Sequence, residues 1–408
     1  MGRSQVLFEP SGKTHPSHRY LLQYPPPGYE FVTDTGLWNK FVLTIAGVEP
    51  VYYSLWRLTH FLPINLIKSR IERVTKRRPP GTQLTFAINH LLFREDPWIV
   101  MVEWVYMFTG WWMPEFRRHQ KSIESALASP NCKKILTWCE PARRSLLDNL
   151  DCSEFEHKIE LLPLAAPSRQ FSKTFNNEDK VRLLFVGSAH APKGFVTNWL
   201  TKGWVYDFHI KGGKEVLETF ARLKPRYPNL ELVVRAGVPP AIKRKFEGMP
   251  GLRFIERQIP WEQLEEEFKA ADIYLFPCHQ TTPWAGILDA MSYELPLVTT
   301  DVYANPELVE DGVTGFLVKA SDRVPYYDPD EKFIPPMVTP RRAEFLRAIE
   351  QVDSRVVDEL VAKTALLIEN KELRRRMGRA ARWEVDYGKH SIANRNDRLK
   401  TIFDEAIR

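Results

Sequence analysis

From Val181 to Lys319 the sequence alternates short apolar runs with amphipathic segments: VRLLFVG, KEVLETFARLK, LELVVRAG, PPAIKRKFEGM, LRFIER, WEQLEEEFKAA, DIYLFPC, ILDAMSYE, LPLVTTD, TGFLVK. This order constrains the fold more than any other feature. A strand that is apolar along its whole length has both faces buried, and regular helical crossovers between such strands imply a parallel sheet with helices on both faces. The first half shows the same grammar less regularly. Strands are expected at Gln5–Phe8, Glu30–Thr33, Leu84–Asn89, Trp98–Glu103, Lys134–Trp138 and Lys158–Leu162, and helices at Ser122–Leu127 and Pro141–Leu150. The expected fold class is α/β, with two facing Rossmann-like domains and a ligand cleft at the carboxyl ends of both sheets. The polar stretch Ala166–Lys180 divides the halves. The expected domains are 1–172, 181–385 and a final segment, 386–408, forming a C-terminal helix that crosses back to the first domain.

A length of 408 residues suits two domains, and 44% hydrophobic with 26% charged residues excludes a collagen-like, coiled-coil or wholly disordered chain. The four cysteines contain no C-x-x-C pair, which argues against a disulfide framework or a cysteine zinc site and for a reducing compartment. The first twenty residues hold no apolar run of signal-peptide length, and the apolar stretch Trp98–Met113 is short for a span and contains Glu103. A cytoplasmic protein is expected.

The most specific text is FPCHQTTPWAGILDAMSYELPLVTTDVYANPELVEDGVTGFLV, Phe276–Val318. It resembles glycosyltransferase family 4, the retaining B-type enzymes with two Rossmann-like domains, whose motif ends E-x-V-x-D-G-x-T-G-x-L-V. Here that ending reads Glu307, Val309, Asp311, Gly312, Thr314, Gly315, Leu317, Val318. The resemblance covers roughly Val181–Arg408 and extends more loosely into the first half. It implies transfer of a sugar from a nucleotide-sugar co-substrate to an acceptor, with no other cofactor and no metal. The helix opening at Gly286, Ile287 and Leu288 would present backbone amides to a diphosphate, and Asp289 would take the family's ribose-binding acid position. The family's other acid, which grips the transferred sugar, falls on Thr281. The G-R-x4-K-G pattern that neutralises phosphate becomes Gly187-Ser188, with Lys193 or Lys211-Gly212 as its lysine. Lys211 fits the following helix better, which implies an insertion over Ser188–Ile210 and assigns Lys211 the catalytic role on the leaving diphosphate. Lys193 is either a second phosphate cation or a solvated loop residue. Arg235 either replaces the missing arginine or joins a surface ion pair. Gln258 and Ile259 either contact the base edge or form an ordinary turn.

In the first half, Gly12 and Lys13 occupy the family's acceptor-side loop, with His15 and His18 nearby as either cleft or surface residues. Glu103 stands where the family places a sugar-contacting histidine, and either steadies an oxocarbenium-like centre or is a core acid beside a basic neighbour. The only D-x-D, Asp328-Pro329-Asp330, lies beyond the family motif. Val51–Pro80 holds seven basic residues (Arg57, Lys68, Arg70, Arg73, Lys76, Arg77, Arg78) against Glu72 alone. It reads either as a basic amphipathic surface for an anionic membrane, which would make the protein peripheral at the inner face, or as a packed helix with a solvated end. No nucleic-acid module is evident. The reading is a glycosyltransferase, with a lipid-linked or polysaccharide acceptor. Its alternatives are a nucleotide-sugar-binding scaffold with little activity, supported by Thr281 and Ser188, and a sugar-nucleotide epimerase of similar fold.

Overall fold

The structure is a computed structural model that describes residues 3–10, 16–33, 62–75, 78–173, 180–188, 207–280 and 285–408. The chain forms two compact units: Met1–Ala165 with Tyr327–Arg342 and Ile392–Arg408, and Ala166–Tyr326 with Ala343–Ser391.

The first unit is built on a parallel sheet of β1 (Ser4–Pro10), β2 (Tyr29–Thr33), β3 (Thr82–Ile88), β4 (Trp98–Val102), β5 (Cys132–Thr137) and β6 (Ile159–Leu161), in the order β2-β1-β3-β4-β5-β6. Every residue of β4 is buried, as a central strand covered on both faces requires. The aromatic stretch after it forms a buried 3-10 turn, Val105–Phe108, and then the helix Met113–Ala128. The C-terminal helix Ile392–Ile407 packs on the same sheet, where Phe403 meets the rings of Tyr29, Phe31 and Phe86.

The second unit carries β7 (Val181–Val186), β8 (Leu230–Arg235), β9 (Leu252–Phe254), β10 (Ile273–Phe276), β11 (Leu297–Thr300) and β12 (Gly315–Val318). Their order is β12-β11-β10-β7-β8-β9, all parallel. The chain runs outward from β7 through β8 to β9, then returns to the other side of β7 at β10. That reversal makes a crevice beyond the carboxyl ends of β7 and β10, where open α/β sheets bind their ligands.

The units are not the contiguous segments drawn from sequence. Residues 166–173 belong to the second unit, because Arg382 Nη2 donates to the Arg169 carbonyl at 2.6 Å and Phe171 packs on Tyr293. Tyr327–Arg342 returns to the first unit, where Arg117 pairs with Glu331, Arg144 covers the Phe333 ring and Asn149 donates to the Lys332 carbonyl at 2.7 Å. This excursion contains the D-x-D: Asp328 accepts from Thr339 and from the Asp330 amide, and Asp330 pairs with Arg341 at 2.8 Å, so both carboxylates hold a turn together. None of the described helices is long and apolar enough to cross a membrane.

Candidate active site

The carboxyl end of β10 is fastened from two sides. On one side, Thr299 Oγ1 and Thr300 Oγ1 donate to the carbonyls of Phe276 and Cys278, and Asn305 Nδ2 ties Thr299 Oγ1, the Thr300 carbonyl and Cys278 Sγ together. On the other, the His279 amide donates to the Ile210 carbonyl at 2.7 Å. The turn before the helix Gly213–Leu223 therefore sits directly on the strand end.

Gly212 explains how closely. It has φ +79°, and a Cβ there would lie 2.0 Å from the Pro277 carbonyl oxygen, so no other residue fits without displacing the turn. Lys211, one residue earlier, is buried, with Nζ 5.8 Å from the centre of the Phe276 ring. The chain thus delivers an ammonium to the crevice between β7 and β10. Cys278 is no competing nucleophile: it is fully buried, and burial holds its thiol above the ordinary range.

At the end of β7, the Gly187 amide donates to the Arg235 carbonyl, and Arg235 Nη1 returns a bond to the Gly187 carbonyl at 2.8 Å. Arg235 is thereby folded over the β7 end, where the family pattern lacks its arginine. Burial lowers its pKa from the ordinary arginine value, yet the group stays cationic at neutral pH. Ser188 follows at half exposure, its carbonyl accepting from the Gly237 amide.

The helix Ala285–Ser292 follows β10, and Gly286, Ile287, Leu288 and Asp289 are all buried in it. Asp289 has a cation beside it that the sequence did not suggest. Arg169 Nη2 lies 3.5 Å from its Oδ1, with the guanidinium over the rings of Trp261 and Tyr293. Gln258 is exposed and Ile259 half-buried beyond β9, two strands out from β7. Thr281, Lys193, Gly12, Lys13 and His15 lie outside the described residues, as do Arg57, Lys76 and Arg77 of the basic segment.

A further pair was not singled out from sequence. His279 Nε2 lies 3.1 Å from Glu215 Oε1, both side chains being buried, with the ring stacked on Tyr326. In the first unit, Glu103 follows β4 with His18 Nε2 at 3.8 Å, and its amide donates to Asn89 Oδ1 at 2.9 Å. Asn89 has φ +57°, a conformation asparagine tolerates, which turns its side chain to bridge the ends of β3 and β4. Glu103 is half-buried with His18 beside it, and His18 is buried rather than a surface histidine. Lys68 and Glu72 are a correction to the basic segment: both are buried in a cluster with Glu9, His90 and Arg94 at the ends of β1 and β3. The one sequence cue was a carboxylate at Glu9 inside an otherwise apolar strand.

Residues 196–326 match the family described as Glycosyl transferases group 1. No curated protein sequence matches the chain. Among solved structures, it is similar to Anabaena Alr3699/HepE in complex with UDP and glucose, with a TM-score of 0.58 at 11% identity, covering 98% of this chain and 100% of that one. WaaG, described as a glycosyltransferase involved in lipopolysaccharide biosynthesis, gives 0.55 at 14% identity over 98% of this chain and 99% of WaaG. TarM gives 0.53 at 10% identity over 79% of this chain; the chain spans only 54% of the length of TarM. At such identities the likeness is one of fold: an α/β chain with two Rossmann-like units of the B-type glycosyltransferase class.

Proposed function

We propose that the protein is a nucleotide-sugar-dependent glycosyltransferase that transfers a hexosyl group with retention of configuration. The observation that carries this reading is the placement of Lys211 by Gly212 against the end of β10, beside the switch point of the sheet. In this reading the donor diphosphate lies at the amino end of the helix Ala285–Ser292. Amides of Gly286, Ile287 and Leu288 meet one side of it, and Lys211 and Arg235 supply positive charge, so no metal ion and no cofactor beyond the nucleotide sugar is needed there. Asp289 accepts from the ribose hydroxyls while Arg169 holds its carboxylate in place. Charge on the leaving diphosphate grows toward the transition state, which makes fixed cations more valuable there than in the ground state.

HepE is described with UDP and glucose, which favours a uridine-linked hexose as the first donor to try. WaaG is described in lipopolysaccharide biosynthesis, which favours a lipid-linked acceptor. The helix Ile64–Thr75 supports an anionic membrane as a partner: Ile67, Ile71 and Val74 are 39%, 45% and 82% exposed, spaced as one helical stripe, with Arg70 and Arg73 also exposed. That location corresponds to a protein peripheral at the inner face.

The test is release of nucleoside diphosphate from a panel of UDP-, GDP- and ADP-sugars, with and without lipid-linked acceptors, with the anomeric configuration of the product read by NMR. Release stimulated by acceptor, with retained configuration, is expected. Tight nucleotide-sugar binding with no release under any acceptor would instead support a binding scaffold, the reading favoured by Thr281 and Ser188.

A further inference from the structure

The cluster at the ends of β1 and β3 contains an arrangement that hydrogen bonding within the described residues does not resolve. His90 is fully buried, and its Nδ1 lies 3.1 Å from the Ile88 carbonyl. A carbonyl only accepts, so Nδ1 carries a proton, and Nε2 is the nitrogen that faces the cluster. There it lies 3.6 Å from Glu9 Oε2. Glu72, reaching in from the helix Ile64–Thr75, is more than nine-tenths buried. Neither His90 Nε2 nor Glu72 Oε2 has a hydrogen-bond partner among the described residues.

Arg94 Nη2 is 3.2 Å from Glu9 Oε1, and Lys68 Nζ is 4.0 Å from Glu72 Oε1 while donating to the Pro10 carbonyl at 2.8 Å. One ligand atom from each of Glu9, Glu72 and His90 lies within 4.8 Å of the others, and all three residues are buried. A buried imidazole nitrogen and a buried carboxylate oxygen that lack hydrogen-bond partners carry a desolvation cost that an ion bound between them would offset.

We propose that Glu9, Glu72 and His90 bind a divalent first-row transition ion. One imidazole nitrogen with two carboxylate oxygens suits zinc, manganese or iron(II) rather than calcium or magnesium, which take oxygen ligands almost exclusively. An ion at about 2.1 Å from each donor needs donor separations of roughly 3 to 3.5 Å, which small side-chain rotations supply. The Ile88 carbonyl at Nδ1 plays the outer role usual for a metal-bound histidine, fixing the ring and its tautomer. The ion would clamp the helix Ile64–Thr75 to the carboxyl ends of β1 and β3. The site lies wholly within the first unit and is independent of donor binding in the second.

The experiment uses the full-length protein, stripped with a chelator and titrated with Co2+ as the probe. Saturable binding of about one ion per chain is expected, with imidazole scattering in the cobalt X-ray absorption spectrum. Glu72→Gln and His90→Gln should each weaken binding by about 100-fold or more, with unchanged far-UV circular dichroism. No saturable binding by the wild type would overturn the proposal and leave a buried imidazole among buried carboxylates and their cations. So would bound cobalt lacking an imidazole ligand, or undiminished binding in both variants. If the variants fail to fold, the wild-type absorption spectrum decides the matter alone.

Discussion

Lys211 shows how a single backbone requirement determines a side chain's chemistry. The ammonium is buried because the turn carrying it is pressed on Pro277, and only the glycine at 212 permits that approach. Lys211→Ala is expected to lower kcat by about 100-fold with a much smaller change in donor affinity, since the proposed function puts its charge on the leaving diphosphate. Isothermal titration with nucleoside diphosphate beside steady-state kinetics checks this; equal losses in binding and turnover would place Lys211 in ground-state binding. Asp289→Asn keeps the shape but removes the charge that faces Arg169 and that the proposed function directs at the ribose. It should weaken nucleoside diphosphate binding by about 1 to 3 kcal/mol, and unchanged affinity for uridine, guanosine and adenosine diphosphates alike would contradict the ribose role.

At the scale of elements, termini and faces do the work. The helix Ser354–Glu369 begins at Asp353, whose side chain accepts from the Arg355 amide and bonds Ser321 Oγ at 2.7 Å. The Arg355 hydrogen bond foremost, then those from Ser321 and the Arg355 amide, bring its pKa down to about 2 against the ordinary 3.8. A lowered carboxylate pKa gives stability that is present above the unfolded value and lost as pH falls toward the folded one. Asp353→Asn should therefore cost about 1 to 2 kcal/mol at pH 6, and the gap from wild type should narrow as pH falls from about 4 to 2. Urea unfolding across that range measures it. The helix Ile64–Thr75 turns a face outward. Replacing Arg70 and Arg73 with Gln should reduce attachment to anionic vesicles, at roughly 1 kcal/mol per charge near the surface. Flotation of wild type and variant at low and high salt tests this; an identical distribution throughout would mark the stripe as an ordinary helix surface.

For the whole molecule, the order of the chain does not follow the units. The first unit is completed only when Tyr327–Arg342 and Ile392–Arg408 return to it. Phe403 covers Tyr29, Phe31 and Phe86, and Arg395 donates to the Tyr24 carbonyl at 2.6 Å. Truncation after Ser391 should thus strip one face of the first sheet while leaving the second unit's core intact. Limited proteolysis of such a chain is expected to leave a resistant fragment spanning the second unit and to degrade residues before about 165. A resistant first unit would show that the helix adds little to its core.

The strands were legible because a parallel sheet covered on both faces writes itself as uninterrupted apolar text, and Val181–Val186, Ile273–Phe276 and Leu297–Thr300 are entirely or almost entirely buried. The helix start after Lys211-Gly212-Gly213 was legible too, and the structure has that helix at Gly213–Leu223. What sequence reading missed shares one property. Arg169 meets Asp289 across 120 residues, Glu215 meets His279 across 64, and Glu9 meets Arg94 across 85. Local text carries no signal for such pairs. Lys68 and Glu72 read as part of a charged run, and only the tertiary structure shows them to be buried, with Lys68 donating to the Pro10 carbonyl.

The sequence by itself therefore determined the fold class and the family motif, since periodicity and turn chemistry act over a few residues. Tertiary structure alone decided which charged groups leave water and which partners they meet. Burial and pairing depend on segments far apart along the chain arriving at the same strand ends, and that convergence is not encoded in any one of them.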